Sequence, residues 1–359
     1  MVNDWLLVET LGEQPMVVAQ GAHLKNFVPL RSFLRRNPNL SAMNTAIAQT
    51  VESGTALAVV TADTKRMIRT EPATMSDSRI HGVQVWCGIP EEQPPPRRVP
   101  GPVKWDFTDG ESSVTRDFLV NAGFDPAVEQ VSGRAFADDV PYRVLNPVES
   151  ETLSLAIKFV PGRTQCATWN FTDKGGSFRR VSWWARTQIE PSDSGIDHLT
   201  ARGMNLVEAV SDAPLVRKQL ADRIIGGLAT PGIYRGIVDF EQWTVLKWLD
   251  APCPYFNWHG RLRAHPDDYN RHLVRMRAEM QDGPSSAVFR LPSNDGLWTP
   301  IHITIQKFEL FSGVYAGLAS MRLPTTDELR TATASAYEVQ SSAVADGSGP
   351  RRRLDTVGN

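Results

Sequence analysis

A bracket of proline and glycine recurs three times and limits what the chain can become. Segments 37–54, 146–162 and 265–283 each open on a polar residue followed by proline: Asn37-Pro38, Asn146-Pro147 and His265-Pro266. Each closes on glycine: Gly54, Gly162 and Gly283. Proline near the start and glycine just past the end is the polarity of a helix. Between the brackets the apolar residues fall three and four apart. They are Leu40, Met43, Ile47 and Val51; then Leu153, Ile157 and Val160; then Tyr269, Leu273, Met276 and Met280. Three helices of similar length are predicted.

The surroundings repeat as well. After Gly54 come strand-like runs at 56–60, 66–69 and 80–86. After Gly162 they lie at 166–171, 178–189 and 198–206, and after Gly283 at 287–291, 298–308 and 314–323. Gly175-Gly176 and Asn294-Asp295-Gly296 supply hairpin turns, and Ile301, Ile303 and Ile305 alternate with polar neighbours. Upstream of the helices, 5–8 with 16–19 and 235–239 with 244–248 read as strand pairs. The second copy shows only 104–107 clearly, and its partner strand is placed around 128–131. The predicted order is strand, strand, helix, strand, strand, strand, used three times. Such a unit is an antiparallel sheet with helices on one face, an α+β fold.

The punctuation divides the copies. Six prolines between 90 and 102 forbid helix and central strand and predict an extended spacer. Pro214 precedes an apolar pattern at Leu215, Val216, Leu220, Ile224, Ile225 and Leu228, which predicts an amphipathic connecting helix. The expected organisation is a first domain at 1–90, a linker at 91–102 and a second domain at 103–210. A connecting helix follows at 211–230, a third domain at 231–325 and a largely disordered tail at 326–359. A short helix is expected to open that tail, through Glu328 to Tyr337.

Residues carry a family resemblance at this point. Ile237-Val238-Asp239, His265-Pro266-Asp267-Asp268 and Asn294-Asp295-Gly296-Leu297-Trp298 resemble the pattern of a PAS domain. The second copy is similar, with Asn146-Pro147-Val148-Glu149 and Lys174-Gly175-Gly176-Ser177-Phe178 in the matching places. The first copy resembles either a PAS or the related GAF type. From Asp4 to Pro324 the chain also resembles an actinobacterial family of three tandem sensor-type domains. Residues 80–86 and 246–250 carry that likeness. The resemblance implies a sensor or signalling module, and homodimerisation as one option. It implies no reaction and names no cofactor.

Composition excludes some function classes. There are 38 Lys and Arg against 40 Asp and Glu, for a net charge of -2. Bulk charge therefore gives no basis for binding nucleic acid or an anionic membrane. No run of about 18 apolar residues is present to span a membrane. The first residues lack the charged-then-apolar order of a secretory signal. Cys87, Cys166 and Cys253 are odd in number and far apart, so a reduced, cytoplasmic setting is expected.

Catalytic signatures are missing. There is no G-x-S-x-G, H-E-x-x-H or phosphate-loop pattern. A non-catalytic role is expected. The PAS resemblance makes His272 the best haem ligand, against a plain surface histidine among Arg271, Arg275 and Arg277. Cys253 in Ala251-Pro252-Cys253-Pro254 reads as a reactive thiol or as a buried inert one. Alternation in the third domain nominates Met276, Met280, Phe289, Ile303 and Ile305 as walls of a ligand pocket, or as plain core. Adjacent Trp183 and Trp184 must face opposite sides of their strand. Trp184, Trp243 and Trp248 are accordingly candidate interface residues. The leading expectation is a sensor or adaptor that binds an unidentified small ligand, a protein partner or both. The alternative is a protein-binding scaffold with filled cores.

Overall fold

The computed structural model describes residues 4–140, 148–173, 175–192, 195–208 and 220–332. It contains three antiparallel sheets. The first is built from β1 (Leu6–Glu9), β2 (Met16–Gln20) and β3 (His23–Pro29). A one-turn α1 (Leu30–Phe33) and the 14-residue α2 (Leu40–Ser53) follow. β4 (Leu57–Val60), β5 (Met67–Thr74) and β6 (Ile80–Gly88) complete it. The second holds β7 (Gly101–Asp106), β8 (Glu111–Val114), α3 (Arg116–Asn121), α4 (Phe136–Asp139) and α5 (Glu149–Ile157). Its remaining strands are β9 (Thr164–Thr172), β10 (Phe178–Glu190) and β11 (His198–Val207). After α6 (Leu220–Gly227), the third comprises β12 (Tyr234–Asp239), β13 (Thr244–Trp248), α7 (Pro266–Glu279), β14 (Ser285–Pro292), β15 (Trp298–Phe311) and β16 (Val314–Arg322).

Strand order repeats with the sequence. The sheets run β3-β2-β1-β6-β5-β4, β8-β7-β11-β10-β9 and β13-β12-β16-β15-β14. Each has the order second, first, last, next-to-last, with the strand after the helix at the far edge. Among the described residues, only the first carries an additional edge strand, β3. Its pairing was not legible because His23 to Asn26 show no clean polar–apolar alternation.

Local expectations met different outcomes. Gly54 ends α2 in the left-handed region at φ 69, as the bracket requires. α5 stops at Ile157 instead of running to Gly162. Pro161 disfavours helical backbone at Val160, which is left exposed. Pro266 opens α7, whose Asp268 carboxylate holds Arg290 at 2.8 Å. The partner of β7 is β8, not residues 128–131. Gly110 at φ 73 allows the tight β7–β8 turn, and Val128 stands exposed. In the predicted connecting helix, residues 211–219 lie outside the described residues. The described part, α6, packs Ile225 inward and leaves Ile224 and Leu228 in solvent. Pro147, most of the tail and the end of its predicted helix also lie outside the described residues.

Layers stack along the molecule. α2 covers one face of the first sheet through Val8, Val17, Met43, Ile47 and Val83. The opposite face packs directly on the second sheet, where Leu7, Val18 and Phe27 meet Trp184, Met204 and Leu206. Hydrophobic contact therefore crosses the proline spacer as an interface, separate from the first domain's own core. The spacer is tied down: Trp5 Nε1 donates to Pro95 O at 3.0 Å and Gln84 Nε2 to Arg98 O at 2.8 Å. The other face of the second sheet carries α3, α4 and α5. These helices in turn meet the outer face of the third sheet at Ile237, Leu246 and Ala316. α7 closes the far side through Met276 and Met280.

Polar contacts lock both junctions. Between the first and second domains, Arg186 grips Glu9 at 2.8 Å and Arg202 reaches Asp77 at 2.6 Å. Between the second and third, Lys247 Nζ meets Glu149 Oε1 at 2.7 Å with almost no solvent access to either. Among the described residues, no helix is long and apolar enough to cross a membrane.

Candidate functional site

The third domain is filled. Met276, Met280, Phe289, Ile303 and Ile305 do converge, but as a packed core in which the remaining void is only about 10 Å³. That is at the lower limit for one water and leaves no room for a small molecule. The cause is α7, which lays Met276 and its C-cap residue Met280 onto the sheet. The same packing removes the haem reading of His272. Its ring sits edge-on to Phe289 at 5.4 Å, and burial holds its pKa below the usual histidine value. Cys253 is fully buried, and burial pushes its thiol up to about 11, so it is not a reactive thiolate.

The hollow lies in the middle domain instead. There the helices over the inner sheet face are short, six residues in α3 and four in α4. Thr115 Oγ1 caps α3 by accepting from Phe118 N–H at 3.2 Å. Alternation brings Trp105 of β7, Trp169 of β9 and Trp183 of β10 to this face. Large rings under short helices leave a cavity of about 310 Å³. The third domain completes its wall with Trp248, Pro252 and Trp258. The site thus sits where two domains meet, within the size range of small-molecule pockets.

One ion pair organises the wall. Arg134 Nε and Nη2 donate to Asp139 Oδ1 at 3.1 and 3.0 Å. Asp139 Oδ2 also accepts from Trp105 Nε1 at 2.9 Å and from the Ser112 hydroxyl. Burial works against the Arg134 charge, but Asp139, Asp138 and Glu129 outweigh it and raise its pKa. The result anchors α4 to β7 and β8. Beside it, burial raises the Asp138 carboxyl, yet His259 and the Ala135 N–H more than offset this and hold it below the usual range. Asp138 and His259 approach to 3.2 Å, a second tie between the middle and third domains.

Three indoles in this wall are unsatisfied. Trp169, Trp183 and Trp248 are each more than nine-tenths buried, and their Nε1 atoms have no hydrogen-bond partner. Neighbouring rings stand edge-to-face at 6.2 Å (Trp105 on Trp183) and 5.5 Å (Trp258 on Trp248). They supply no oxygen or nitrogen acceptor, and N–H to ring contacts are weak. An unpaired buried indole is not confined to this wall, since Trp243 Nε1 in the filled third-domain core also has no partner among the described residues.

The interface candidates have other roles. Trp184 is buried between the first and second sheets, donating to Lys25 O at 3.3 Å. It is an intramolecular contact. Trp243 lies in the third-domain core and Trp248 in that core and the cavity wall, so neither is offered to a partner. Sequence reasoning missed Trp105, Trp169, Arg134 and Asp139. The available signal was tryptophan at matching sheet positions on separate strands of one domain, which reads equally as ordinary core.

Two other places bring polar groups together. Asp106, Asp109 and His198 could converge on a cation, with ligand atoms within 4.8 Å of one another. Asp106 is already occupied in a turn, accepting from Thr108 and Asp109 N–H and meeting His198 Nδ1 at 2.6 Å. That hydrogen bond raises the His198 pKa. A groove of about 580 Å³ beside α2 is walled partly by Glu13, Arg31, Asn44 and Glu52 and has no comparable set of buried, unpaired donors among the described residues.

Comparisons with known proteins fit this architecture. Family models described as Rv3651-like N-terminal, middle and C-terminal domains match residues 4–96, 99–208 and 218–332. The crystal structure of an uncharacterized protein from Mycobacterium tuberculosis is 45% identical, with a TM-score of 0.84. The match covers 92% of this chain and 99% of that one. A sensory box histidine kinase/response regulator from Burkholderia thailandensis E264 is 14% identical, TM-score 0.22, over 30% of this chain and 76% of its own. An RNA-binding Light-Oxygen-Voltage receptor is 10% identical, TM-score 0.23, over 68% and 99%. The last two likenesses are slight. No curated protein matches.

Proposed function

The chain belongs to the Rv3651-like family, and from that premise we propose that it is a non-catalytic, ligand-responsive sensor whose receptor is the middle-domain cavity. The observation that carries this reading is a hollow of about 310 Å³ walled by aromatic rings from two domains. The shared strand order, with helices on one sheet face, supports a PAS-like reading of each unit. The extra strand β3 sets the first unit apart and keeps the GAF-like alternative for it.

Signal output follows from the wall. Trp248, Pro252 and Trp258 belong to the third domain, so an occupant touches both domains at once. Binding then favours the docked arrangement over any looser one by its differential contacts. The three free cysteines are consistent with a reducing, cytoplasmic setting. The scaffold alternative loses its motivation, because Trp184, Trp243 and Trp248 are all buried.

Native mass spectrometry of the gently purified full chain tests the proposal. A bound small molecule is expected on the wild type. It should be absent from Ala122→Trp, which fills the cavity from the end of α3. An adduct kept unchanged by that variant, or found only with the first or third domain, would overturn the assignment.

A further inference from the structure

We propose that Arg179 latches the entrance of the middle-domain cavity, pinning the C-terminal end of α3 against the end of β9, and that molecules enter and leave when this latch opens. This rests on reading the hollow as a ligand site and goes on to name the residue that controls access to it.

Exposure along the wall places the entrance. Trp105, Val181 and Trp183 form a buried floor. Wall residues are open to solvent at three places. These are Gly123 and Phe124 after α3, Thr172 and Asp173 at the end of β9, and Pro252 of the third domain. Three rims therefore frame the opening.

One guanidinium ties two of them. Arg179, the second residue of β10, donates from Nε to Asp173 Oδ2 at 2.9 Å. Its Nη1 donates to Val120 O, in α3, at 3.3 Å. The Arg179 hydrogen bond outweighs desolvation and, with the Ser177 and Gly175 N–H groups, holds the Asp173 carboxyl below its usual range. The tie is therefore charged at neutral pH, which strengthens it. Gly123, at φ 78, brings the rims together. A Cβ there would lie 2.8 Å from Asp173 Cβ and 3.2 Å from Arg179 Nε. A ring cannot pass between rims that touch.

Of the three rims, the one after α3 yields at least cost. β9 is fixed by its ladder with β10. The third-domain rim is fixed by Cys253 and Phe256 in a filled core, and by Arg261 N–H donating to Asp109 O across the junction at 3.2 Å. α3 has only six residues, too few to stand alone in water. Thr115 and Asn121 keep it on the sheet, so opening is a local parting of Gly123 and Phe124 from Asp173. The Arg179 side chain is 32% exposed, so water can take over its hydrogen bonds. The latch is closed over an empty cavity and over a filled one. It is broken only during passage, and so governs rates and not affinity.

Stopped-flow fluorescence with N-phenyl-1-naphthylamine, a neutral probe that brightens on leaving water, tests this on the full chain. Arg179→Met keeps the stem and removes the guanidinium. Entry and exit rates should both rise roughly ten-fold, with Kd changed less than two-fold. Arg179→Lys, which keeps the charge but lacks the fork, should fall between. Arg275→Met, a surface change on α7, should leave both rates alone. Ala122→Trp should abolish binding. Unchanged rates in Arg179→Met, with binding still blocked by Ala122→Trp, would overturn the latch and leave the receptor reading standing. A faster exit matched by an equally weaker Kd would make Arg179 part of the binding wall and overturn the latch. Wild-type chain that binds no probe, or binding indifferent to Ala122→Trp, would overturn both.

Discussion

Replacing Lys247 with methionine should separate the middle and third domains energetically. Lys247 projects from β13 and meets Glu149 at the start of α5, nitrogen to oxygen 2.7 Å. Its side chain is 0% exposed and that of Glu149 5%. Methionine keeps the length and most of the volume, so no large void opens. What changes is charge: a buried carboxylate loses its ammonium partner. Breaking a buried pair from one side costs about 3–5 kcal/mol, chiefly because the remaining charge is desolvated. The double variant Lys247→Met with Glu149→Leu removes both charges and should recover most of that loss. The exposed pair Arg275–Glu279, at 2.8 Å, is the control, since a solvent-exposed ion pair contributes little. Urea unfolding read by tryptophan fluorescence measures the effect. With a slope near 3 kcal/mol/M, the first transition should move down by about 1 M or more in the single variant. A shift equal to that of the surface control, or a double variant no better than the single one, would refute the reasoning.

Three further outcomes follow from the same physics. Burial, aided by the Arg202 charge, holds His81 at about 4 despite its Nδ1 contact with Gly203 O at 2.9 Å. Unfolded, it titrates near 6.5, so its contribution is complete above that pH and is lost as pH falls toward 4, by about 3 kcal/mol. Urea midpoints across that window should fall in the wild type and stay flatter in His81→Gln; equal slopes would contradict this. Trp184→Ala should cost about 3–5 kcal/mol and expose the 91–100 spacer to protease, because it empties the contact between the first two sheets. Unchanged cleavage would show that the sheets do not rely on it. Gly203→Ala should be far worse than Gly54→Ala, as measured by melting temperature. A Cβ at Gly203 would lie 2.0 Å from the Trp184 carbonyl, whereas Gly54 has open space and only its φ of 69 to satisfy, about 1 kcal/mol. Similar melting temperatures for the two would contradict the close sheet geometry.

Much of the fold was legible because its rules are local. Gly54 and Pro266 mark helix ends by backbone sterics, and Gly176 and Gly296 mark hairpins by their positive φ, 84 and 80. The repeat then carried the chain order of strands and helix from copy to copy, while the order of strands within each sheet is a finding of the structure. The β7–β8 hairpin escaped because Glu111, Ser112 and Ser113 lack apolar alternation, and β8 is held partly by an isolated bridge from Ser112 to Arg134. The candidate site was less legible. Whether Met276 and Ile303 line a pocket or fill one depends on how much helix lies above them, which periodicity does not report. Trp105, Trp169 and Trp183 carry the same alternating signal as any core residue. What distinguishes them is the hollow left above them by the short α3 and α4, a property of packing. Arg134 and Asp139 lie in an irregular segment, where no period singles them out.

Hydrogen exchange on the full chain, with and without the small molecule that co-purifies with it, tests the central claim most directly. Occupancy of a cavity shared by two domains should slow exchange together in α4, residues 136–139, and in the third-domain wall, residues 248–258. The first domain should be unaffected. Protection confined to the third-domain core around α7, or none in either wall segment, would contradict a receptor at the middle-domain junction.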